Sequence, residues 1–225
     1  MYRKDHYARD RVMASARLLL PHLNENDTVL DVGCFTQEAK KYYPRWIKYI
    51  GIDEKAYHHE TQVVDLNGEW GGLSPSYKGI LALEVLEHLV KPRVVLSRLV
   101  LLLATDGRIV ISLPNEVTLF HRIRCLVGTV DGEAFASEGK HLHLPSLAQA
   151  RAMLREHFQI ERELYYISPS ACGSKQAWVG RILALVPDRL WNTLARWKPT
   201  LFARGWIFLL RKRGESYASS PQPQA

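Results

Sequence analysis

Four consecutive apolar runs each end in a carboxylate: VLD at Asp31, YIGID at Asp53, QVVD at Asp65 and LALE at Glu84. Asp53 lies 20 residues beyond Gly33. A carboxylate there can accept hydrogen bonds from both hydroxyls of a ribose. Asp65 can accept from an exocyclic amine. Asp31 stands two residues before Gly33, where the chain is expected to turn tightly so that backbone can approach a ligand. An acid at that place repels a pyrophosphate and attracts a cation. His88 follows in LEVLEHL. On a continuous helix Glu84 and His88 share a face at i, i+4, and the carboxylate orients the imidazole and raises its basicity. Such a histidine suits a catalytic base that takes a proton from a hydroxyl or amine. His141 and His143 flank Leu142; in an extended segment they share a face and aim at substrate together. They lack a third ligand at a recognisable spacing, so no metal is expected. Pro114-Asn115 closes the fifth apolar run, and Asn115 is expected to shape the substrate pocket.

Two kinds of cofactor suit acids in this order. A nicotinamide site wants G-x-G-x-x-G with the pyrophosphate on a helix N-terminus. Here only Gly33 is present, with Phe35 and Gln37 where further glycines are expected. A cofactor carrying a sulfonium and an ammonium group welcomes Asp31 instead. S-adenosyl-L-methionine meets both needs, with Asp31 and Gly33 at its methionine end and Asp53 at its ribose.

These residues need strands that end together. Strands are predicted at 28–33, 47–52, 62–65, 79–84, 107–113, 158–167 and 205–211. Helices are predicted at 7–22, 36–43, 85–103 and 146–157. The first five strands are short and continuously apolar, as parallel strands buried on both faces must be. Alternation with helices implies an α/β, doubly wound sheet with right-handed crossovers. Such a sheet binds ligands at the carboxyl ends of its strands. Residues 115–145 lack periodicity, and 175–200 read as helices broken at Pro187 and Pro199. Both are expected as substrate-side insertions in a single domain spanning 1–213, followed by a polar, Pro/Ser-rich disordered tail at 214–225.

VLDVGC, YIGIDE, LALEVLEHLVKP and LLLATDGRIVISLPNE, in that order, resemble the class I S-adenosylmethionine-dependent methyltransferases, in the small-molecule branch with the "LEH" signature. GKHLHLPSLAQARAMLREHFQIERELYY is similar to the segment of that branch in which a His-rich loop precedes a helix and the sixth strand. The resemblance covers residues 15–167 and, faintly, 200–213. It implies a seven-stranded, mainly parallel Rossmann-like sheet with an antiparallel last strand and a C-terminal helical elaboration. It implies Asp31 and Gly33 by the methionine moiety, Asp53 at the ribose, Asp65 and Leu66 near adenine, Glu84 at the cofactor's edge and His88 facing substrate. The function implied is methyl transfer to oxygen or nitrogen of a small molecule, sugar- or lipid-linked molecules included. Phe35 and Gln37 depart from the family, as does Tyr77-Lys78-Gly79, where an aspartate is expected. A β-carbon restricts positive φ, and a phenyl ring obstructs close backbone approach. A methyltransferase-like binding protein without transfer activity is therefore the alternative.

The chain has 225 residues, 47% apolar and 24% charged, which is globular composition with enough apolar side chains for a core. The segment MYRKDHYARDRV lacks the apolar centre of a signal peptide, and three widely spaced cysteines, Cys34, Cys125 and Cys172, fit a reducing compartment. A cytoplasmic protein is expected. The net charge of +7 is concentrated between Lys175 and Arg213, which holds nine basic residues, one acid and four of the six tryptophans. There, Trp178, Ile182, Leu185, Leu190, Leu194 and Trp197 are expected to form an apolar stripe flanked by Arg181, Arg189, Arg196 and Lys198. Such an element can cover the substrate pocket and touch an anionic membrane weakly from the cytoplasmic side. The basic residues show no groove-like pattern and no nucleic-acid module is recognisable, so no nucleic-acid partner is expected.

Overall fold

The apolar runs assemble into one sheet. In the computed structural model, which describes residues 4–73, 76–128, 141–166 and 188–214, the strands are β1 (Thr28–Val32), β2 (Lys48–Asp53), β3 (Gln62–Val63), β4 (Tyr77–Leu83), β5 (Leu103–Pro114), β6 (Phe158–Tyr166) and β7 (Gly205–Lys212). Their order is β3-β2-β1-β4-β5-β7-β6. The first five run parallel, and β7 lies antiparallel between β5 and β6. The described helices are α1 (Lys4–Leu19), α2 (Pro92–Leu102), α3 (Leu119–Leu126), α4 (Leu147–Arg155), α5 (Asp188–Trp197) and α6 (Pro199–Phe202).

Alternate residues of each strand feed opposite faces. Val29, Leu81, Val110, Ile207 and Leu209 pack against Val12, Leu18 and Leu19 of α1 and Leu23 just beyond it. On the other face Leu30, Val32, Ile80, Ala82, Ile109 and Ile111 meet Val95, Leu96 and Leu99 of α2 and Leu147, Ala150 and Leu154 of α4. The central strands are therefore covered on both sides, which is why they read as unbroken apolar runs. α4 starts at a capping box in which the Ser146 hydroxyl accepts from the Gln149 N–H and the Gln149 side chain accepts from the Ser146 N–H.

Four expectations change, the first being that the helix predicted at 36–43 is a 3-10 helix, Glu38–Tyr42. The helix predicted at 85–103 is a 3-10 turn, Leu86–His88, followed by α2 from Pro92. Lys91 precedes a proline and takes φ −129°, ψ 72°, because proline excludes the helical region from the residue before it. The segment 115–145 contains α3 rather than irregular chain throughout, although residues 129–140 lie outside the described residues. In α5, Trp191 and Ala195 turn inward and are buried, while Leu190 and Trp197 are exposed beside Arg189, Arg196 and Lys198. Trp178, Arg181, Ile182 and Leu185 of the expected stripe lie outside the described residues, as do Cys172 and positions 215–225 of the tail. No described helix is long and apolar enough to cross a membrane.

Candidate active site

The loop after β1 keeps a glycine-rich shape without the glycines. Gly33 has φ +69°, Phe35 +44° and Gln37 +56°, so three alternate residues adopt the left-handed region that glycine favours. The Gly33 and Cys34 N–H groups both donate to the Ile52 carbonyl, at 2.9 and 3.1 Å, which pins the turn to β2. A Cβ on Gly33 would lie 2.4 Å from Val85 Cγ2, so the turn after β4 presses on the turn after β1. The Phe35 N–H donates to Asp53 Oδ2 at 2.9 Å. Its ring rests on Tyr57, with centroids 4.6 Å apart, and is 57% exposed. Gln37 is buried and its Nε2 donates to Thr61 Oγ1 at 3.2 Å.

Phe35 therefore does not obstruct the turn in the way its bulk suggested; the ring is directed to Tyr57. Phe35→Gly should leave the melting temperature unchanged or slightly raised. Left-handed strain of about 1–2 kcal/mol is relieved, against added chain entropy of about 0.4–1 kcal/mol and little lost burial. A calorimetric scan showing a large fall in melting temperature would mean that the Phe35–Tyr57 contact holds the loop.

Asp31 is buried on the α1 side of the sheet and accepts from the Tyr49 hydroxyl. Burial pushes its carboxyl up to about 7; Asp53 adds to the rise, while the Tyr49 hydrogen bond and Arg11 oppose it. Burial also raises the Tyr43 hydroxyl, with Asp31 adding to it. Because the folded value exceeds the ordinary 3.8, the protonated group's contribution is present below 3.8 and is lost as pH rises through about 7. Asp31→Asn keeps an acceptor for Tyr49 and removes that loss. Its melting temperature should gain on the parent's between acid and neutral pH, and a constant difference across this window would contradict the buried charge.

Glu84, expected on a helix with His88, stands instead at φ +54° before the 3-10 turn. Its carboxylate pairs with Arg11 of α1 and accepts from Tyr166 at the end of β6. It does not share a helix face with His88. Asp65 is exposed and accepts from the Asn67 N–H at 2.9 Å, and Leu66 beside it is buried. The Leu66 carbonyl accepts from Trp70 Nε1 at 3.2 Å.

The companions of His88 are others. Its ring meets the ring of His141 edge-on, with centroids 4.8 Å apart. His141 Nε2 lies 4.0 Å from Glu87 Oε1, and its Nδ1 lies 3.5 Å from Glu116 Oε1. Burial pushes the Glu87 carboxyl up to about 7. Burial also lowers the His141 imidazolium's pKa, and the Glu116 carboxylate opposes that. The segment at 141–143 is clamped onto the turn: the Leu142 and His143 N–H groups donate to the Glu87 carbonyl at 2.7 and 3.1 Å.

His143 and Asn115 do not join this cluster. His143 Nε2 bonds the Leu89 carbonyl at 2.9 Å, because residues 141–146 form no strand that would align it with His141. Asn115 is buried, and its Nδ2 reaches the carbonyls of Pro199, Thr200 and Ala203 at 3.5, 3.2 and 2.8 Å. It ties the end of β5 to α6 and has no amide hydrogen left for substrate. The partners missed in sequence, Glu87, Glu116, Arg11 and Tyr166, carry no local signal, since each meets its partner only through the fold.

A sequence profile described as "Methyltransferase domain" matches residues 5–161. No curated protein sequence matches. Among solved structures, a SAM-dependent methyltransferase from Archaeoglobus fulgidus superposes with TM-score 0.58 at 17% identity, over 91% of this chain and 94% of that one. The N-methyltransferase NodS from Bradyrhizobium japonicum, in complex with S-adenosyl-L-homocysteine, gives TM-score 0.58 at 13% identity over 94% and 90%. A Burkholderia thailandensis 1,6-didemethyltoxoflavin-N1-methyltransferase, with that substrate and S-adenosylhomocysteine bound, gives 0.56 at 17% over 94% and 82%. At these identities the likeness is one of fold.

Proposed function

The chain belongs to the methyltransferase-domain family and is an S-adenosylmethionine-dependent enzyme, and from that premise we propose that it methylates an oxygen or nitrogen of a small molecule. The observation that carries the reading is the loop after β1. Positive φ at Gly33, Phe35 and Gln37 supports a cradle at this turn, and Asp53 stands half-exposed at its rim. The Phe35 ring is turned to Tyr57, which leaves backbone free to approach a ligand at Gly33.

In this reading Asp31 and Gly33 serve the methionine end, Asp53 accepts from the ribose hydroxyls, and Asp65 with Leu66 borders the adenine. Glu84, held by Arg11 and Tyr166, stands at the cofactor's edge. When bound, the cofactor supplies an electrophilic methyl group on sulfonium. The chain's own task is to hold the acceptor in line behind that methyl, which supplies much of the acceleration, and to take the acceptor's proton. His88 serves as the base. It lies three residues past Val85, which touches the Gly33 turn, so acceptor and cofactor sites adjoin. His141 forms the opposite wall of the acceptor site.

The acceptor class is open to direct test. The chain is incubated with methyl-labelled cofactor and a panel of phenols, sugar hydroxyls, lipid-linked hydroxyls and amines, with products read by mass spectrometry. Label on oxygen or nitrogen of a panel member supports the reading. Label transferred only to carbon, or only to a nucleic acid or protein added as a control, would refute it.

A further inference from the structure

We propose that a cavity at the starts of β1 and β4 is a second small-molecule site, separate from the turn after β1, for a neutral single-ring ligand that carries a hydrogen-bond acceptor. The first observation is the cavity itself. It holds about 230 Å³, below the roughly 300–1,000 Å³ of pockets for drug-sized ligands, so its occupant is small. Thr28, Gln62, Ser76 and Tyr77 line it with polar groups, and Ile50 and Leu73 with apolar ones. No described charged side chain lines it. A charged ligand would find no counter-charge there, so the class that fits is neutral.

The cavity exists because of how this part of the sheet is covered. On the α2 side the central strands meet α2 and α4, but the described residues between β3 and β4 form no helix. Trp70 and Leu73 stand in its place and pack against the same core. Trp70 is fixed from two sides: its Nε1 donates to the Leu66 carbonyl at 3.2 Å, and the Arg98 guanidinium of α2 lies 5.8 Å from its ring centroid. These anchors fix the segment that supplies Leu73 to the cavity wall.

The second observation is Tyr77. Its side chain is 6% exposed and lines the cavity, and its hydroxyl has no hydrogen-bond partner among the described residues. Buried tyrosine hydroxyls usually find a partner, and one left without is costly. The hydroxyl therefore calls for an acceptor from outside the chain. The third observation is Ser76, which holds φ +90° while its N–H donates to the Leu102 carbonyl at 2.9 Å. Backbone strain of this kind clusters at ligand sites. Thr28 and Tyr77 are the first residues of β1 and β4, whose far ends lead to Asp31 and Glu84. The site thus needs no cofactor to form, and the inference stands apart from the transfer reading.

The test follows the amide NMR signals of the isotope-labelled full chain without cofactor. It is titrated with benzamide, with benzyl alcohol and, separately, with benzoate as the charged counterpart. At least one neutral probe should shift the signals of Leu73, Ser76 and Tyr77 saturably at millimolar concentration. Benzoate should bind about tenfold more weakly or worse, because its charge would be buried uncompensated. Tyr77→Phe should weaken the neutral probe by about 2–10-fold, the loss expected for one neutral hydrogen bond, while the ligand-free melting temperature stays level or rises because the hydroxyl removed has no partner. Leu73→Trp, which fills the cavity, should abolish the shifts. Three results would each overturn the site: no shift by either neutral probe at tens of millimolar, shifts that both folded variants leave unchanged, or shifts centred on Gly33 and Asp53, which would put the probe in the turn after β1.

Discussion

His88→Ala is expected to lower methyl-transfer turnover by about 10²–10⁴-fold, the range for loss of a positioned proton acceptor, while cofactor affinity stays near the parent's. The two readouts part because His88 lies on the acceptor side. It follows Val85, which presses on the Gly33 turn, and its ring faces His141 rather than the Asp53 rim. A group that acts only on the acceptor's proton contributes to the transition state and not to cofactor binding. The prediction is checked by steady-state kinetics on an acceptor from the panel, with cofactor binding measured separately. Parental turnover in the variant would remove His88 from the mechanism. Equal losses in turnover and cofactor affinity would make it a support of the cofactor loop instead.

Asp53→Ala is expected to weaken cofactor binding by about 1.5–3 kcal/mol, the range for hydrogen bonds to a charged group, or about 10–150-fold in Kd. Asp53 ends β2 and accepts from the Phe35 N–H at 2.9 Å. The Lys55 N–H approaches its other oxygen at 3.4 Å. These contacts aim the carboxylate without using all of its lone pairs, so it can still take two hydroxyl donors. The same substitution also frees the Phe35 N–H. Asp53→Asn separates the two roles: it keeps an acceptor for Phe35 and should still lose much of the affinity. Binding by the alanine variant as tight as the parent's would show that the ribose assignment is wrong.

The strands were legible because burial on both faces leaves an unbroken apolar run, and every strand lies within a few residues of its predicted place. β5 departs most, starting at Leu103 rather than at 107, because α2 ends at Leu102. The loop after β1 was harder to read. Phe35 and Gln37 argue against positive φ on intrinsic grounds, yet hydrogen bonds to Asp53 and Thr61 hold both there, a tertiary effect with no local signature. The Glu84–His88 pairing failed because a proline seven residues after Val85 limits where the helix can start. Asn115 looked like a pocket residue because it follows β5; its true partners are more than 80 residues away. The Glu87–His141 cluster joins residues 54 apart in the chain, and periodicity cannot report such a distance.

The central claim is that the altered loop still holds the cofactor, and isothermal titration calorimetry of the purified chain with S-adenosylmethionine and with S-adenosylhomocysteine tests it most directly. The account predicts saturable binding of both at one per chain, weakened by Asp53→Ala and retained in His88→Ala and Phe35→Gly. A folded parent chain that binds neither, with binding gained only when Phe35 and Gln37 are both replaced by glycine, would contradict it.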